Sequence, residues 1–165
     1  MTNWFPILIA GGGALFLGLA GGLLTPIGAW YRGLRKPGFQ PPDWLFGPAW
    51  TIILGLAAWS AVVAWEAAAG DPGARRDVVI LFVVNAVCHF LWSPLFFKLR
   101  RPDWALVEVV FLWASLVALI VGLWPISHFA SLLILPYFLW VSFAAVLNRA
   151  IVRLNGPFAG AGAPA

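Results

Sequence analysis

The chain has 165 residues, of which 62% are hydrophobic and only 10% are charged, and its mean hydropathy is +0.93. This composition excludes an ordinary soluble domain and makes a lipid bilayer the expected environment. Ten Lys and Arg oppose six Asp and Glu, but the cations lie in short clusters between apolar runs, so no nucleic-acid partner is expected. A single cysteine, Cys88, excludes an internal disulfide framework.

Five apolar runs divide the chain, and each is long enough to cross about 30 Å of hydrocarbon as a helix. The runs cover about residues 4–27, 44–65, 78–97, 104–125 and 128–148. Because every run is continuously apolar rather than alternating, helices are favoured over barrel strands. The sequence predicts an all-α integral membrane protein, a five-transmembrane-helix bundle formed by one domain over residues 1–155. The Gly/Ala/Pro-rich segment 156–165 is predicted to be a flexible C-terminal tail.

The basic residues predict the orientation of the bundle. Eight of them follow the first, third and fifth runs: Arg32, Arg35, Lys36, Lys98, Arg100, Arg101, Arg149 and Arg153. The opposite side holds only Arg75 and Arg76. By the positive-inside rule the N-terminus lies outside and the C-terminus is cytoplasmic. No basic region precedes the first run, so it is interpreted as a retained span, and the expected location is a bacterial inner membrane.

Small side chains recur every four residues in the first run, at Ala10, Ala14, Gly18 and Gly22. They share one helical face and allow another backbone to approach closely. Packing within the bundle and a homodimer interface both fit this stripe, and the spacing leaves the two open. In the fourth run, Glu108 lies within the first turns, where its carboxylate is expected to reach the membrane interface.

Three tryptophans lie deep within apolar runs, at Trp50, Trp92 and Trp140. Each indole N–H needs a partner there, so each ring either fills the core or lines an aromatic pocket. Asn85 and His89 share a helical face with Trp92. An ionisable residue at that depth is a functional candidate, and His89 either makes an interhelical hydrogen bond or faces a ligand.

The connection over residues 30–42 is too aromatic and too rich in proline for a simple linker. Its prolines restrict the backbone, and its aromatic residues give it an apolar underside. These residues are Trp30, Tyr31, Pro37, Phe39, Pro41 and Pro42. The segment is predicted to be a stiff lid over the cytoplasmic mouth of the bundle.

Taken together, these residues resemble the TspO/translocator protein family of tryptophan-rich sensory proteins. The resemblance rests on separated motifs in the family's order: Trp30-Tyr31, Lys36-Pro37, Pro41-Pro42, Trp50-Thr51, Trp92-Ser93-Pro94, Pro136-Tyr137, Trp140 and Asn148. It implies a five-helix bundle, usually dimeric, with a pocket beneath the first loop for porphyrins, haem-like tetrapyrroles, sterols or synthetic aromatic drugs. By this resemblance the ligand-binding residues are Tyr31, Pro41, Trp50, Asn85, His89, Phe90, Trp140 and Ala144.

Three departures from the family pattern refine this expectation. Phe39 stands where a Trp is usual, and His89 stands where the family commonly has Asn. The aromatic residue of the sterol-recognition motif is absent before Arg149, which disfavours a sterol. A neutral imidazole can ligate the metal of a haem or chlorin, so His89 is a candidate axial ligand, although no cofactor is obligatory and no protein metal site is predicted.

Two classes of function remain open at the level of sequence. The first is a tetrapyrrole-binding sensor or carrier whose partners are the lipid bilayer, a planar hydrophobic small molecule and a second copy of the chain. The second is a structural or assembly subunit of a larger membrane complex, such as a photosynthetic pigment complex. No nucleophile, base and orienting group occur together, so no catalytic residue is predicted. The one chemistry considered is light-dependent porphyrin breakdown.

Overall fold

The computed structural model describes residues 4–158, which form helices and connections without any β-strand. The helices are α1 (Trp4–Leu23), α2 (Ala29–Gly33), α3 (Phe46–Ala67), α4 (Pro72–Ser93), α5 (Pro102–Leu123), α6 (His128–Leu133) and α7 (Leu135–Asn155). A 3₁₀ turn, Asp43–Leu45, leads into α3, and a π-helical turn, Pro94–Lys98, extends α4.

Five helical segments are long and apolar enough to cross a membrane. They are Trp4–Leu23, Asp43–Ala67, Pro72–Lys98, Pro102–Leu123 and His128–Asn155. The predicted all-α membrane bundle is therefore confirmed. The single domain over 1–155 and the flexible tail stay predictions, and residues 159–165 of that tail lie outside the described part of the chain.

The ends of the spans differ from the apolar runs. The third span begins at Pro72 rather than near residue 78, because the Asp71 side chain caps the helix by accepting a hydrogen bond from Ala74 N at 3.0 Å. The first span ends at Leu23 rather than 27, since Pro26 disfavours helix in the residue before it. Hydropathy located the apolar part of each helix, whereas capping and proline determine where the helix starts or stops.

Helix α5 is the centre of the bundle and packs against both α4 and α7. Its fully buried leucines include Leu116, Leu119 and Leu123. A buried hydrogen bond from Ser60 Oγ to Ala130 O, 2.7 Å long, joins α3 to α6. Apolar packing and satisfied hydroxyls together hold this half of the bundle, as expected where polar groups lie away from water.

Helix α1 is the least buried span, and Pro6 is its one buried residue among those described. It packs mainly against α3, where the position of a Cβ on Gly18 would lie 3.6 Å from Leu54 Cδ1. The small-residue stripe therefore serves packing within the chain at Gly18. A homodimer interface on α1 stays a prediction.

The expectation that Glu108 reaches the membrane interface was wrong. Its side chain is only 8% exposed, and neither carboxylate oxygen has a hydrogen-bond partner among residues 4–158. The reason is its position on α5: Ala105 and Leu112, one turn before and one turn after it, are buried on the same face. Glu108 is thus directed into the bundle.

Candidate ligand-binding cavity

A cavity of about 730 Å³ lies between α1, α3, α4, α5 and α7, below the connection over residues 30–42. This volume is within the range of small-molecule binding sites. Its walls are mostly apolar, and Asp43 is the charged residue among the lining side chains that the structure describes. The cavity is therefore suited to a largely hydrophobic molecule with a polar group at one end.

The structure brings five of the predicted site residues together around this cavity. They are Tyr31, Trp50, His89, Trp140 and Ala144. These residues come from α2, α3, α4 and α7, which are separated by long stretches of sequence. Trp140 and Ala144 lie one turn apart on α7 and share a face, as their spacing predicts.

Three other predicted residues, Pro41, Asn85 and Phe90, are not among the lining residues. The Asn85 side chain is 5% exposed and donates a hydrogen bond from Nδ2 to Ser115 Oγ at 2.9 Å, so it joins α4 to α5. Phe90 is 37% exposed, and its ring stacks on Phe16 of α1 with a centroid distance of 6.2 Å. One residue along a helix turns by about 100°, which takes Phe90 away from the face of its neighbour His89.

This placement predicts that Asn85→Ala weakens the fold without weakening ligand binding. Loss of the interhelical hydrogen bond to Ser115 is expected to lower stability by about 0.6–1.7 kcal/mol, the range measured in membrane helices. Thermal unfolding in detergent measures the first effect, and ligand titration measures the second. A large loss of affinity at an unchanged melting temperature would return Asn85 to the binding site.

Trp50 is the centre of an aromatic wall. Its ring meets His89 edge to face with a centroid distance of 4.8 Å, and it meets Tyr137 at 5.9 Å and Trp140 at 6.4 Å in the same manner. Phe46 packs edge to face on Trp140 at 5.7 Å. Edge-to-face contacts of this kind are the preferred aromatic geometry. The wall is thus built before any ligand arrives.

His89 is held by Tyr137 of α7. The distance between His89 Nδ1 and the Tyr137 hydroxyl oxygen is 2.8 Å, which leaves Nε2 as the ring nitrogen that Tyr137 does not engage. A proton on Nδ1, donated to Tyr137, gives Nε2 a free lone pair, whereas the other tautomer makes Nε2 a donor. Both tautomers allow His89 to make a directed polar contact with a bound molecule.

Trp92 and Trp140 do not have the hydrogen-bond partners that the sequence led us to expect. Both indole Nε1 atoms are buried and have no acceptor within residues 4–158. A buried donor without a partner costs free energy. Both side chains line the cavity, but each Nε1 atom is itself inaccessible, so the rings face the cavity with their apolar parts.

Sequence reasoning missed the wall of the cavity that α1 forms. Ala14, Gly18, Gly21 and Gly22 of α1 line it, together with Thr25 after the end of the helix, and a Cβ on Gly21 or Gly22 would meet no atom within 4 Å. The four-residue spacing of Ala14, Gly18 and Gly22 predicted a helix interface, but the same lack of side-chain volume leaves space for a ligand. Small residues at this spacing therefore fit either a helix interface or a cavity wall, and only the packing of α1 distinguishes the two.

Tyr31 is the residue of the connection over residues 30–42 that lines the cavity, and it is the buried anchor of this segment. The Tyr31 ring packs on Phe97 with a centroid distance of 5.5 Å, and its hydroxyl donates to Asp43 Oδ1 at 3.2 Å. Burial, with a smaller effect of the nearby Asp43 carboxylate, raises the pKa of Tyr31 to about 12. The phenol therefore stays neutral at physiological pH and remains a donor.

Arg35, four residues after Tyr31 in this lid segment, is attached to α7. Asn155 Oδ1 accepts a hydrogen bond from Arg35 N at 2.7 Å, and Asn155 Nδ2 donates to Arg35 O at 2.9 Å. One side-chain amide thus satisfies both backbone groups of Arg35. The pair fixes the lid to the C-terminal end of the last helix.

Asn155→Ala is expected to speed ligand dissociation because it removes both bonds to the lid. Each net hydrogen bond is worth about 0.5–1.5 kcal/mol and the two together about 1–3 kcal/mol, so the off-rate should rise about five- to 150-fold if the lid must move for the ligand to leave. Stopped-flow measurement of tryptophan fluorescence follows the release. Arg153→Ala, an exposed change one half-turn earlier, is the control. Equal off-rates in the two variants would show that the lid does not control exit.

Five membrane-length helices around an aromatic cavity define a small polytopic membrane protein. A profile of the TspO/MBR family matches residues 9–154, and the chain belongs to that family. The resemblance in the sequence motifs is thereby confirmed.

Individual relatives support the same assignment. The chain is 41% identical over 145 residues to the tryptophan-rich protein TspO of Archaeoglobus fulgidus, covering 86% of this chain and 91% of that protein. It is 34% identical to protein CrtK of Rhodobacter capsulatus, covering 84% and 85% of the two chains. It is 29% identical to the human translocator protein, covering 76% of this chain and 75% of that one.

Proposed function

We propose that this protein is a membrane sensor or carrier that binds a planar tetrapyrrole in the cavity beneath residues 30–42. The observation that carries the proposal is the joining of Trp50, His89, Tyr137 and Trp140 in one aromatic wall beside a cavity of about 730 Å³. Flat aromatic molecules pack well on such surfaces. The glycine-lined face of α1 opposite leaves room for a rigid ring system.

The chemistry of His89 fits a metallated tetrapyrrole. Its ring lines the cavity, and its Nδ1 lies 2.8 Å from a phenol oxygen that can accept the Nδ1 proton. Histidine ligands of metals commonly donate their other N–H to such a partner, which fixes the tautomer and the ring orientation. We therefore propose His89 as the axial ligand when the bound molecule is a haem or a chlorin. The porphyrin breakdown considered above is not part of the proposal.

In the proposed arrangement the protein lies in a bacterial inner membrane with its N-terminus outside. The lid and the C-terminal end of α7 then lie on the cytoplasmic side, where eight of the ten basic residues occur. The exposed apolar side of α1 supports a homodimer as the functional unit. Its exposed side chains that do not line the cavity include Trp4, Leu8, Ile9 and Leu23.

Titration of the purified protein with protoporphyrin IX, followed by tryptophan quenching, tests the binding. Trp140→Ala is expected to lower the affinity about tenfold, since aromatic contacts are worth about 0.5–1.5 kcal/mol beyond their buried area. Trp113→Ala is the matched control because Trp113 lies outside the cavity, where its indole donates to Ser142 Oγ at 3.0 Å. No saturable binding, or equal effects of the two variants, would contradict the proposal.

Purification from the native host in mild detergent separates this function from the assembly role. A coloured protein of small size supports a tetrapyrrole-binding sensor or carrier. Quantitative co-migration of a colourless protein with a large pigment complex would instead support the assembly subunit. Mass and absorbance analysis of the bound compound identifies the ligand.

A further inference from the structure

Charge is distributed unevenly between the two ends of the bundle. The lid side carries the eight basic residues named above but only two acidic ones, Asp43 and Asp103. The opposite side carries Arg75 and Arg76 with three acidic residues, Glu66, Asp71 and Asp77. The excess of positive charge on the lid side produces an electrostatic potential that attracts the anionic end of an amphipathic molecule to the lid.

Lys36 does not itself line the cavity but contacts two residues that do, Tyr31 and Asp43. Its Nζ lies 3.9 Å from the centroid of the Tyr31 ring and 3.8 Å from Asp43 Oδ2. Both Tyr31 and Asp43 line the cavity, and the Lys36 side chain is only 25% exposed. The ion pair is too long for a direct hydrogen bond, so the three ammonium donors are available to a closer acceptor.

Asp43 can share or release Lys36 without losing all of its own partners. Its other oxygen, Oδ1, accepts from the Tyr31 hydroxyl at 3.2 Å and from Gln40 Nε2 at 3.3 Å. A ligand carboxylate can therefore approach Lys36 in place of Asp43 Oδ2 while Asp43 stays hydrogen-bonded. In this exchange Asp43 gives up its cation but keeps two hydrogen bonds at Oδ1, so its charge stays solvated by neutral donors.

We propose that the ligand is an amphipathic acid, whose apolar rings fill the cavity and whose carboxylate pairs with Lys36 at the lid. The proposal rests on the proposed function and adds to it the chemical class and the orientation of the ligand. A neutral tetrapyrrole of the same ring structure lacks the group that Lys36 recognises. Lys36 is then a specificity residue that distinguishes acids from esters.

The test compares protoporphyrin IX, a dicarboxylic acid, with its dimethyl ester, using Lys36→Gln and the wild-type protein. Lys36→Gln is expected to lower the affinity for the acid about tenfold or more and to leave that for the ester unchanged, because hydrogen bonds between charged groups are among the stronger ones in proteins. Lys98→Gln is the matched control: it removes the same charge from the same side at an exposed residue that makes neither the contact with Tyr31 nor the ion pair with Asp43.

The outcomes separate the two proposals. If the wild type binds acid and ester equally, or if Lys36→Gln and Lys98→Gln weaken the acid to the same extent, recognition by Lys36 is overturned while tetrapyrrole binding stands. If neither compound binds, tetrapyrrole binding fails and this inference fails with it. If only Lys36→Gln loses affinity for the acid and keeps its affinity for the ester, the result supports an ion pair between Lys36 and the ligand carboxylate.

Discussion

Gly21→Phe is expected to lower ligand affinity about a hundredfold, because a phenyl ring would occupy the space that the ligand needs, and overpacking costs about 1–3 kcal/mol. Gly21 lines the cavity from α1, and a Cβ at this position meets no protein atom within 4 Å. The substitution should therefore fill the cavity without a clash in the empty protein. Replacement of a glycine within a helix should also favour helix formation slightly.

Isothermal titration with protoporphyrin IX measures this effect, and thermal unfolding in detergent confirms that the variant is folded. Gly12→Phe is the matched control, since a Cβ on Gly12 also meets no atom but Gly12 does not line the cavity. The control should bind with the wild-type affinity. Full binding by a folded Gly21→Phe protein would mean that the ligand lies somewhere other than this cavity.

Most of the fold could be predicted from the sequence because membrane helices leave a direct record in hydropathy. A helix in lipid satisfies its own backbone hydrogen bonds, so continuous apolarity over about 20 residues specifies both its type and its approximate place. Helix capping, which decides where a helix begins, leaves a weaker signal in hydropathy. The Asp71 cap begins α4 inside a charged segment that apolarity alone excluded from the span.

The side of a helix that faces a ligand was harder to predict than the helix itself. Helical spacing grouped Trp140 with Ala144, and both line the cavity, whereas Asn85, grouped with His89, does not line it because its amide donates to Ser115 of α5. Asn85 lies where α4 meets α5, and only the packing of those two helices shows this. Likewise, Glu108 is directed inward by the burial of the α5 face, which hydropathy averaged over the span cannot reveal.

His89→Ala is expected to affect a metallated and a metal-free ligand differently. If Nε2 binds the metal, the affinity for haemin should fall about tenfold or more and the Soret band should shift, because a ligand bond is lost in addition to packing. Protoporphyrin IX without metal lacks that bond, so its affinity should change only a few-fold. His128→Ala is the matched control, since His128 is the second of two histidines and packs on Trp124 outside the cavity.

Tyr137→Phe distinguishes metal ligation by His89 from simple contact between the His89 ring and the ligand. The Tyr137 hydroxyl lies 2.8 Å from His89 Nδ1, and removing it takes away the acceptor that keeps the Nε2 lone pair free. Changes of such supporting partners commonly cost about 10- to 100-fold in metal affinity. Haemin binding should therefore weaken in this variant even though the imidazole is intact. An unchanged Soret band in both His89→Ala and Tyr137→Phe would remove His89 as an axial ligand and leave it as part of the aromatic wall around Trp50.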